Sequence, residues 1–192
     1  MKRLFTALMF LSFLSGCGRG FSAVEHSLIR KGNEDAMRVL VVDNSEDSVV
    51  LRQKSLLLDE RMVRKGDFKR LCRRMLATVT SPENEGVGIA APQVGVLRRL
   101  VAVQRFDKEG EPFEFYVNPE IVEYGQPMES GGEGCLSVPD RRGSVVRSQS
   151  IKLRYRDADF RLHEEQVEGF TAVIFQHEID HLDGVLYIDR EE

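Results

Sequence analysis

Gln176-His177-Glu178-Ile179-Asp180-His181 is the most informative stretch of the sequence. It lies within residues 170–182, which are mostly apolar and are predicted to form a largely buried helix. His177 and His181 are four residues apart, so they project from one helix face and can bind one ion. Glu178 can reach a metal-bound water without being a ligand, as in the H-E-x-x-H arrangement of metal-dependent hydrolases. The alternative is that His177 and His181 are two ordinary histidines on the helix surface and that Glu178 is an ordinary charged residue. It does not explain why three polar side chains lie in a helix that is otherwise apolar and predicted to be buried.

A catalytic metal site needs a third protein ligand, and Cys135 is the best placed candidate. It lies in the glycine-rich stretch Ser130-Gly131-Gly132-Glu133-Gly134-Cys135-Leu136-Ser137, where the backbone can approach a bound group closely. The other histidines, His26 and His163, have no supporting pattern around them. A Cys-His-His set would hold one divalent ion and deprotonate the thiol.

A second glycine-rich stretch covers residues 86–95, with the sequence GVGIAAPQVG. It lacks the Lys-Ser/Thr of a P-loop and the spacing of a dinucleotide-binding loop. Its one polar side chain is Gln93, whose amide could donate to an oxyanion. Taken alone, this stretch is equally compatible with a close-packed loop that leaves Gln93 in solvent.

The remaining periodicity predicts an α+β domain, in which short antiparallel strands pack around a central metal-binding helix and one N-terminal amphipathic helix. Apolar residues at helical spacing predict the amphipathic helix over residues 63–80. Cys72 lies in the apolar stripe of this helix and is predicted to be an inert thiol, and the basic residues on the other face are predicted to be solvated. Residues 49–52 are predicted to be extended or turn-like. Predicted strands cover residues 37–42, 100–106, 113–117, 121–124, 150–156 and 160–167.

Composition limits the classes of function. The chain has 192 residues with a formal net charge of −4, so it suits one domain and carries no electrostatic footprint for nucleic acid. No run reaches the roughly 18 apolar residues of a membrane-spanning helix. The three cysteines, Cys17, Cys72 and Cys135, cannot form a disulfide framework, so each needs a separate explanation.

The N-terminus has the features of a secretory signal. Lys2 and Arg3 precede an apolar run over residues 4–14, and Ser15-Gly16-Cys17 follows. Leu14-Ser15-Gly16-Cys17 resembles the bacterial lipobox, whose cysteine is acylated and becomes the mature N-terminus. We therefore expect a lipoprotein signal peptide over residues 1–16, a tether over residues 17–36 and a catalytic domain over residues 37–192. An unused apolar N-terminal extension on a cytoplasmic enzyme is the alternative.

Three segments together resemble the motifs of the peptide deformylases: residues 86–93 (GVGIAAPQ), residues 133–137 (EGCLS) and residues 176–181 (QHEIDH). Val50-Leu51-Arg52 also resembles a short segment near the N-terminus of that family, so the resemblance covers about residues 48–190. It implies a hydrolase that removes the formyl group from N-formylmethionyl peptides and releases formate.

The resemblance also implies roles for individual residues. Cys135, His177 and His181 match the metal ligands, and Glu178 matches the catalytic acid/base. Gln93 and the backbone N–H of Leu136 match the groups that hold the developing oxyanion. The implied mechanism is attack of metal-bound hydroxide on the formyl carbon, with Glu178 taking the proton of the water and later protonating the amine.

Further expectations concern the metal and the substrate. Cys plus His ligation alone suits Zn²⁺, whereas the resemblance favours Fe²⁺, with Ni²⁺ or Co²⁺ as substitutes. Val173 and Ile174 share the helix face of His177 and, with Gly88 and Ile89, are candidates for the pocket that takes the methionine side chain. The alternative for Val173 and for Ile174 is that the side chain simply packs in the core. Arg142 matches an arginine near the peptide substrate, and Glu133 is expected to pair with a buried arginine, for which Arg147 is the candidate.

Two other functions compete with this interpretation. A zinc endopeptidase or aminopeptidase also uses H-E-x-x-H, but Cys135 is the wrong third ligand for it. A metal-holding but inactive binding lipoprotein is the other, although every expected catalytic residue is present. We expect the protein to be a monomer that binds N-formylmethionyl peptides, binds no nucleic acid and associates with a membrane through lipidated Cys17.

Overall fold

The computed structural model describes residues 20–33 and 35–191. The predicted signal peptide and Cys17 lie outside the described residues. Among the described residues, no helix is both long and apolar enough to cross a membrane.

Within this described part, the chain forms five α-helices and seven strands. The helices are α1 (Ala23–Arg30), α2 (Ser45–Leu51), α3 (Glu60–Val63), α4 (Gly66–Val79) and α5 (Gly169–Leu182). The strands are β1 (Gly88–Ala90), β2 (Leu100–Gln104), β3 (Phe113–Tyr124), β4 (Met128–Cys135), β5 (Val138–Ser148), β6 (Ser150–Arg156) and β7 (Leu162–Glu168). The predicted α+β class is confirmed.

The strands form two antiparallel sheets. One has five strands in the order β1-β2-β3-β6-β7, and β4 pairs with β5 in a separate hairpin. The hairpin carries Cys135 and crosses to α5, so it brings the third predicted ligand to the helix that holds the other two.

The five-stranded sheet is covered by one helix on each face. Val101 and Val103 of β2 pack with Phe175 of α5, while Leu100 and Ala102 of the same strand pack on the side of α4. This alternation follows from the two-residue period of a strand. Both helices predicted from periodicity are confirmed, since residues 63–80 correspond to α4 and residues 170–182 to α5. Cys72 packs against the α4 core cluster, where burial raises the pKa of its thiol to about 12.

The predicted strand over residues 37–42 is wrong. The backbone there is extended, but its N–H groups donate to three different elements and therefore form no ladder. Met37 donates to Thr78 Oγ1, Leu40 to Gln93 O and Val42 to Ser137 O.

Residues 49–52 are predicted to be extended or turn-like, whereas α2 runs through Leu51. The signal for this helix is Asn44, whose side chain accepts from the N–H groups of Glu46 and Asp47 and caps the first turn.

The described part of the predicted tether is instead a packed helix. Ser22 and Glu25 form a capping box at the start of α1, and Ile29 is fully buried. Glu25 also makes a buried ion pair with Arg98, 2.7 Å between Oε1 and Nε. Residues 20–33 are therefore part of the folded body.

Candidate active site

The last helix places His177 in the wall of a cavity and His181 in the protein interior beside it. His177 and His181 project from the same face of α5, with ring centroids 5.1 Å apart. His181 is buried, and burial lowers the pKa of its imidazole, which keeps it in the neutral form that binds metals.

Cys135 joins these histidines at the end of β4. Its Sγ lies 3.2 Å from His181 Nε2, and the three ligand atoms of Cys135, His177 and His181 all lie within 4.8 Å of one another. One thiolate and two imidazoles at this separation suit a divalent transition-metal ion. The donor set therefore fits the site for one divalent metal ion that the sequence predicts.

Glu133 orients the first histidine. Its Oε2 lies 2.7 Å from His177 Nδ1, and Arg147 donates to both oxygens of Glu133 at 2.7 and 3.1 Å. This confirms the expected pairing of Glu133 with Arg147. Burial opposes ionisation of Glu133, but the hydrogen bonds from His177 and Arg147 outweigh it and lower its pKa to about 2. The His177 Nδ1–H is thus held by an anion, which leaves Nε2 for a metal.

The pKa of His177 responds to the same neighbours. Burial lowers it, but hydrogen bonds with Cys135 and Glu133 prevail and raise it to about 10. A metal bound at Nε2 would displace the proton there, because coordination requires the neutral imidazole.

Glu178 is a buried carboxyl beside this cluster. It is 4% exposed, and its Oε2 has no hydrogen-bond partner among the described residues. Burial raises the pKa of Glu178 to about 7, and nearby Glu133 adds to the increase while His177 opposes it. A carboxyl with a pKa near neutrality is suited to accept and return a proton.

The side chain of Gln93 is held in one orientation. The Ala90 N–H donates to Gln93 Oε1 at 2.8 Å, so the amide nitrogen points the other way. Nε2 lies 3.3 Å from Ser137 Oγ and 3.5 Å from Cys135 Sγ. Leu136 follows Cys135 directly and lines the cavity.

The cavity has a volume of about 800 Å³. Of the predicted site residues, it is lined by Gly88, Gln93, Cys135, Leu136, Arg142, Val173, Ile174, His177 and Glu178. The Glu178 side chain can occupy its position because residue 88 is a glycine, since a Cβ at Gly88 would lie 2.5 Å from Glu178 Oε1.

Ile89 does not line the cavity. It is fully buried on the α4 side of β1, because successive residues of a strand face opposite sides of the sheet. The residue next to Ile89 that faces the cavity is Gly88.

Phe170 and Arg141 also line the cavity, although neither was predicted from the sequence to do so. Phe170 is 56% exposed and lies one turn before Val173 and Ile174, so extending their helix face by one turn would have found it. Arg141 gave no signal distinct from that of Arg142.

A partly buried Cys-His-His cluster beside a carboxyl oxygen that has no hydrogen-bond partner in the described part of the chain, in the wall of a cavity, is typical of the class of metal-dependent hydrolases. Residues 37–192 match the family model described as polypeptide deformylase. The chain therefore belongs to the peptide deformylase family, which is metal-dependent, and it is an enzyme of that family. Helix α1 precedes the matched residues.

Individual relatives agree with this assignment. A peptide deformylase of Leptospira biflexa is 43% identical over 148 residues, covering 73% of this chain and 82% of the relative. The Met-Ala-Ser-bound crystal structure of a class I type b peptide deformylase from Acinetobacter baumannii has a TM-score of 0.73 and 35% identity, covering 82% of this chain and 99% of that one. A peptide deformylase from Thermotoga maritima has a TM-score of 0.71 and 35% identity, covering 82% of this chain and 98% of that one.

Proposed function

We propose that this enzyme hydrolyses the formyl amide of N-formylmethionyl peptides and releases formate. The observation that carries the proposal is the buried, unpaired Glu178 carboxyl beside the Cys135, His177 and His181 cluster. A free carboxyl next to three metal-binding atoms provides for proton transfer at a hydrolytic metal site.

Cys135, His177 and His181 would hold one divalent ion, and we propose Fe²⁺ as the resident metal, with Zn²⁺, Ni²⁺ and Co²⁺ as alternatives. When bound, such an ion activates water and polarises the formyl carbonyl. The donor set alone is compatible with all four ions. Anaerobic reconstitution with each ion, followed by measurement of kcat/KM, distinguishes them.

Glu178 would move the proton during the reaction. Its carboxylate takes a proton from the attacking water as the oxygen bonds to the formyl carbon. The same proton then passes to the amide nitrogen as the C–N bond breaks, which yields formate and a free amine. Burial supports this role, because Glu178 then has a pKa of about 7 and can both accept and donate at neutral pH.

Gln93 and Leu136 would stabilise the oxyanion that forms on the formyl group. The bond from the Ala90 N–H orients the Gln93 amide so that its donor side faces Cys135. Preorganised donors of this kind need no rearrangement during the reaction.

The methionine side chain would occupy the apolar part of the cavity. Gly88, Val173 and Ile174 line that part, and Phe170 lies at its exposed side. Arg142 also lines the cavity and would contact the peptide backbone beyond methionine.

The decisive experiment is a formate-release assay on formyl-Met-Ala under anaerobic, iron-replete conditions. We expect formate release from this substrate and no cleavage of unblocked peptides. Glu178→Gln should retain the metal and lose activity by about 10²–10⁴-fold. Cleavage of unblocked peptides would favour an endopeptidase or aminopeptidase, and a metal-loaded but inactive protein would favour a binding function.

We also propose that the protein is a bacterial lipoprotein held at a membrane by acylated Cys17, with a cytoplasmic enzyme as the alternative. The order of basic, apolar and small residues before Cys17 supports this. Metabolic labelling with a palmitate analogue should mark the wild-type protein and not Cys17→Ser. Label that persists in the variant would contradict the proposal, and fractionation against a periplasmic marker separates the two locations.

We further propose that the enzyme acts as a monomer, because the cluster of Cys135, His177 and His181 and the cavity beside it are complete within a single chain. Light scattering of the purified enzyme tests this, and a dimer mass would contradict it.

A further inference from the structure

A continuous series of charged side chains connects a predicted metal ligand to the C-terminal end of the chain. His177 Nδ1 is 2.7 Å from Glu133, and Glu133 accepts two hydrogen bonds from Arg147. Arg147 Nη1 also donates to Asp180 Oδ2 at 2.6 Å. Arg190 completes the series by donating to both oxygens of Asp180, at 2.6 and 2.7 Å.

We infer that Arg190 is a positioning residue for His177, and that the turn over residues 186–190, which carries Arg190, controls in this way how tightly the site holds its metal. The inference rests on the proposed metal site. It goes beyond that proposal by assigning a role to a residue that does not line the cavity.

The physical basis is competition between two carboxylates for one arginine. Arg147 is only 5% exposed and lies between Glu133 and Asp180. Arg190 occupies both oxygens of Asp180, so Asp180 takes one N–H group of Arg147 and Glu133 takes two. Each of the two carboxylates then has an arginine partner, and removing one partner from such a set is costly.

Loss of the Arg190 charge would disturb this division. Asp180 Oδ1 would lose its donor, and the three remaining charged groups would sum to −1. Arg147 would then be drawn towards Asp180 and away from Glu133, because it would be the one remaining arginine among the described residues that donates to Asp180, a carboxylate only 13% exposed. With a weaker hold on Glu133, the His177 ring would lose its fixed orientation, and with it part of the metal affinity.

The turn that carries Arg190 is held in place and lies next to the site. The N–H of Arg190 donates to Tyr187 O at 2.9 Å, and Asp189 both accepts from the Leu186 N–H and pairs with Arg52. The Tyr187 ring is also stacked on the His177 ring, with centroids 6.1 Å apart and planes at 22°. Arg190 therefore acts from a fixed position.

The first test compares Arg190→Gln with Arg154→Gln in the full chain loaded with Ni²⁺. Arg154 is a matched control, because it is 44% exposed against 47% for Arg190 and pairs with Glu164 on the distant β6–β7 edge. We expect Arg190→Gln to release Ni²⁺ to a chelator about tenfold faster than the wild type. Arg154→Gln should release it at the wild-type rate, and thermal unfolding confirms that both variants fold.

The second test repeats the substitution in an Asp180→Asn background, which removes the competitor for Arg147. There we expect Arg190→Gln to change Ni²⁺ release by less than about twofold, since the two residues act through one contact. Equal rates of Ni²⁺ release from the wild type and Arg190→Gln would overturn the inference. It would also be overturned if Arg154→Gln released Ni²⁺ as fast as Arg190→Gln, or if Arg190→Gln had its full effect in the Asp180→Asn background. A wild-type chain that retains no Ni²⁺ would contradict the metal site itself, and the inference with it.

Discussion

Gln93 illustrates at the residue scale how one buried side chain acquires a direction. An amide can present either its oxygen or its nitrogen to a cavity, and the Ala90 N–H decides between them by donating to Oε1. The nitrogen is left on the side of Cys135. The resemblance of the sequence to the family predicted that Gln93 lies near the site. The orientation of its amide follows only from the folded backbone at Ala90.

We expect Gln93→Ala to lower kcat by about 10²–10³-fold, because it removes one oxyanion donor. The ligands Cys135, His177 and His181 are untouched, so the metal should stay bound. Steady-state kinetics with metal analysis checks both points. A normal kcat in the metal-replete variant would overturn the assignment of Gln93.

Gly88→Ala tests the space beside Glu178. The new Cβ would lie 2.5 Å from Glu178 Oε1 and 2.9 Å from Ile174 Cγ2, so the carboxyl must move. We expect at least about a tenfold loss of kcat/KM, since small displacements of a reacting group are costly. Gly131→Ala is the control, because a Cβ at Gly131 meets nothing within 4 Å and should leave kcat/KM unchanged. Equal activities of the two variants would show that Glu178 tolerates displacement.

At the scale of elements, α1 is tied to the domain by polar contacts that are distant in sequence. Arg98 pairs with Glu25, and Arg74 donates to the carbonyls of Leu28 and Ile29 at 2.7 and 3.1 Å. Arg74 thus provides a partner for the C-terminal carbonyls of a helix only eight residues long, and Arg98 holds its first turn through Glu25. A helix of that length is marginal without such tertiary contacts.

Glu25→Ala should therefore lower the free energy of unfolding by about 3 kcal/mol, because it leaves Arg98 buried without its charge partner. Urea denaturation measures this change. Glu60→Ala removes the exposed pair of Glu60 with Arg64 and should cost less than about 1 kcal/mol. Similar losses in both variants would contradict the structural role of α1.

The elements that sequence predicted correctly are those with a strong local period. Helix α4 repeats apolar residues at three- and four-residue intervals, and β6 alternates Ile151 and Leu153 with charged residues. Residues 37–42 and 130–134 lack a decisive period. The first is extended without a partner strand, and the second forms a glycine-rich strand because β5 pairs with it.

At the scale of the whole molecule, stability should depend on pH through Glu133. Its pKa is about 2 in the folded state against an ordinary value of 4.5, so the unfolded chain binds more protons between these values. The free energy of unfolding of the metal-free protein should thus fall as the pH drops from about 4.5 to about 2, by up to about 3 kcal/mol from this group.

Urea denaturation of the wild type and Glu133→Gln across this range checks the expectation. The variant is less stable at neutral pH, because Arg147 loses a buried partner, but its stability should fall less on acidification. Between about pH 5 and about pH 6 the difference between the two proteins should be nearly constant, because Glu133 is ionised there in both the folded and the unfolded state. His177, whose pKa the hydrogen bonds with Cys135 and Glu133 raise to about 10 despite burial, still binds its proton in the folded wild type at that pH. Parallel losses throughout the acid range would show that Glu133 is not the responsible group.

The sequence by itself determined the chemistry on each segment, because that information is local. The four-residue spacing of His177 and His181 places them on one helix face whatever surrounds the helix. Tertiary structure alone decided which distant groups meet. In the folded chain Ile89 packs in the core, whereas Gly88 faces Glu178. Helix α1 is held by the ion pair of Glu25 and Arg98, which are 73 residues apart, and Arg147 contacts Asp180, which is 33 residues away. Such contacts depend on how sheet and helices pack, and no local period encodes that packing.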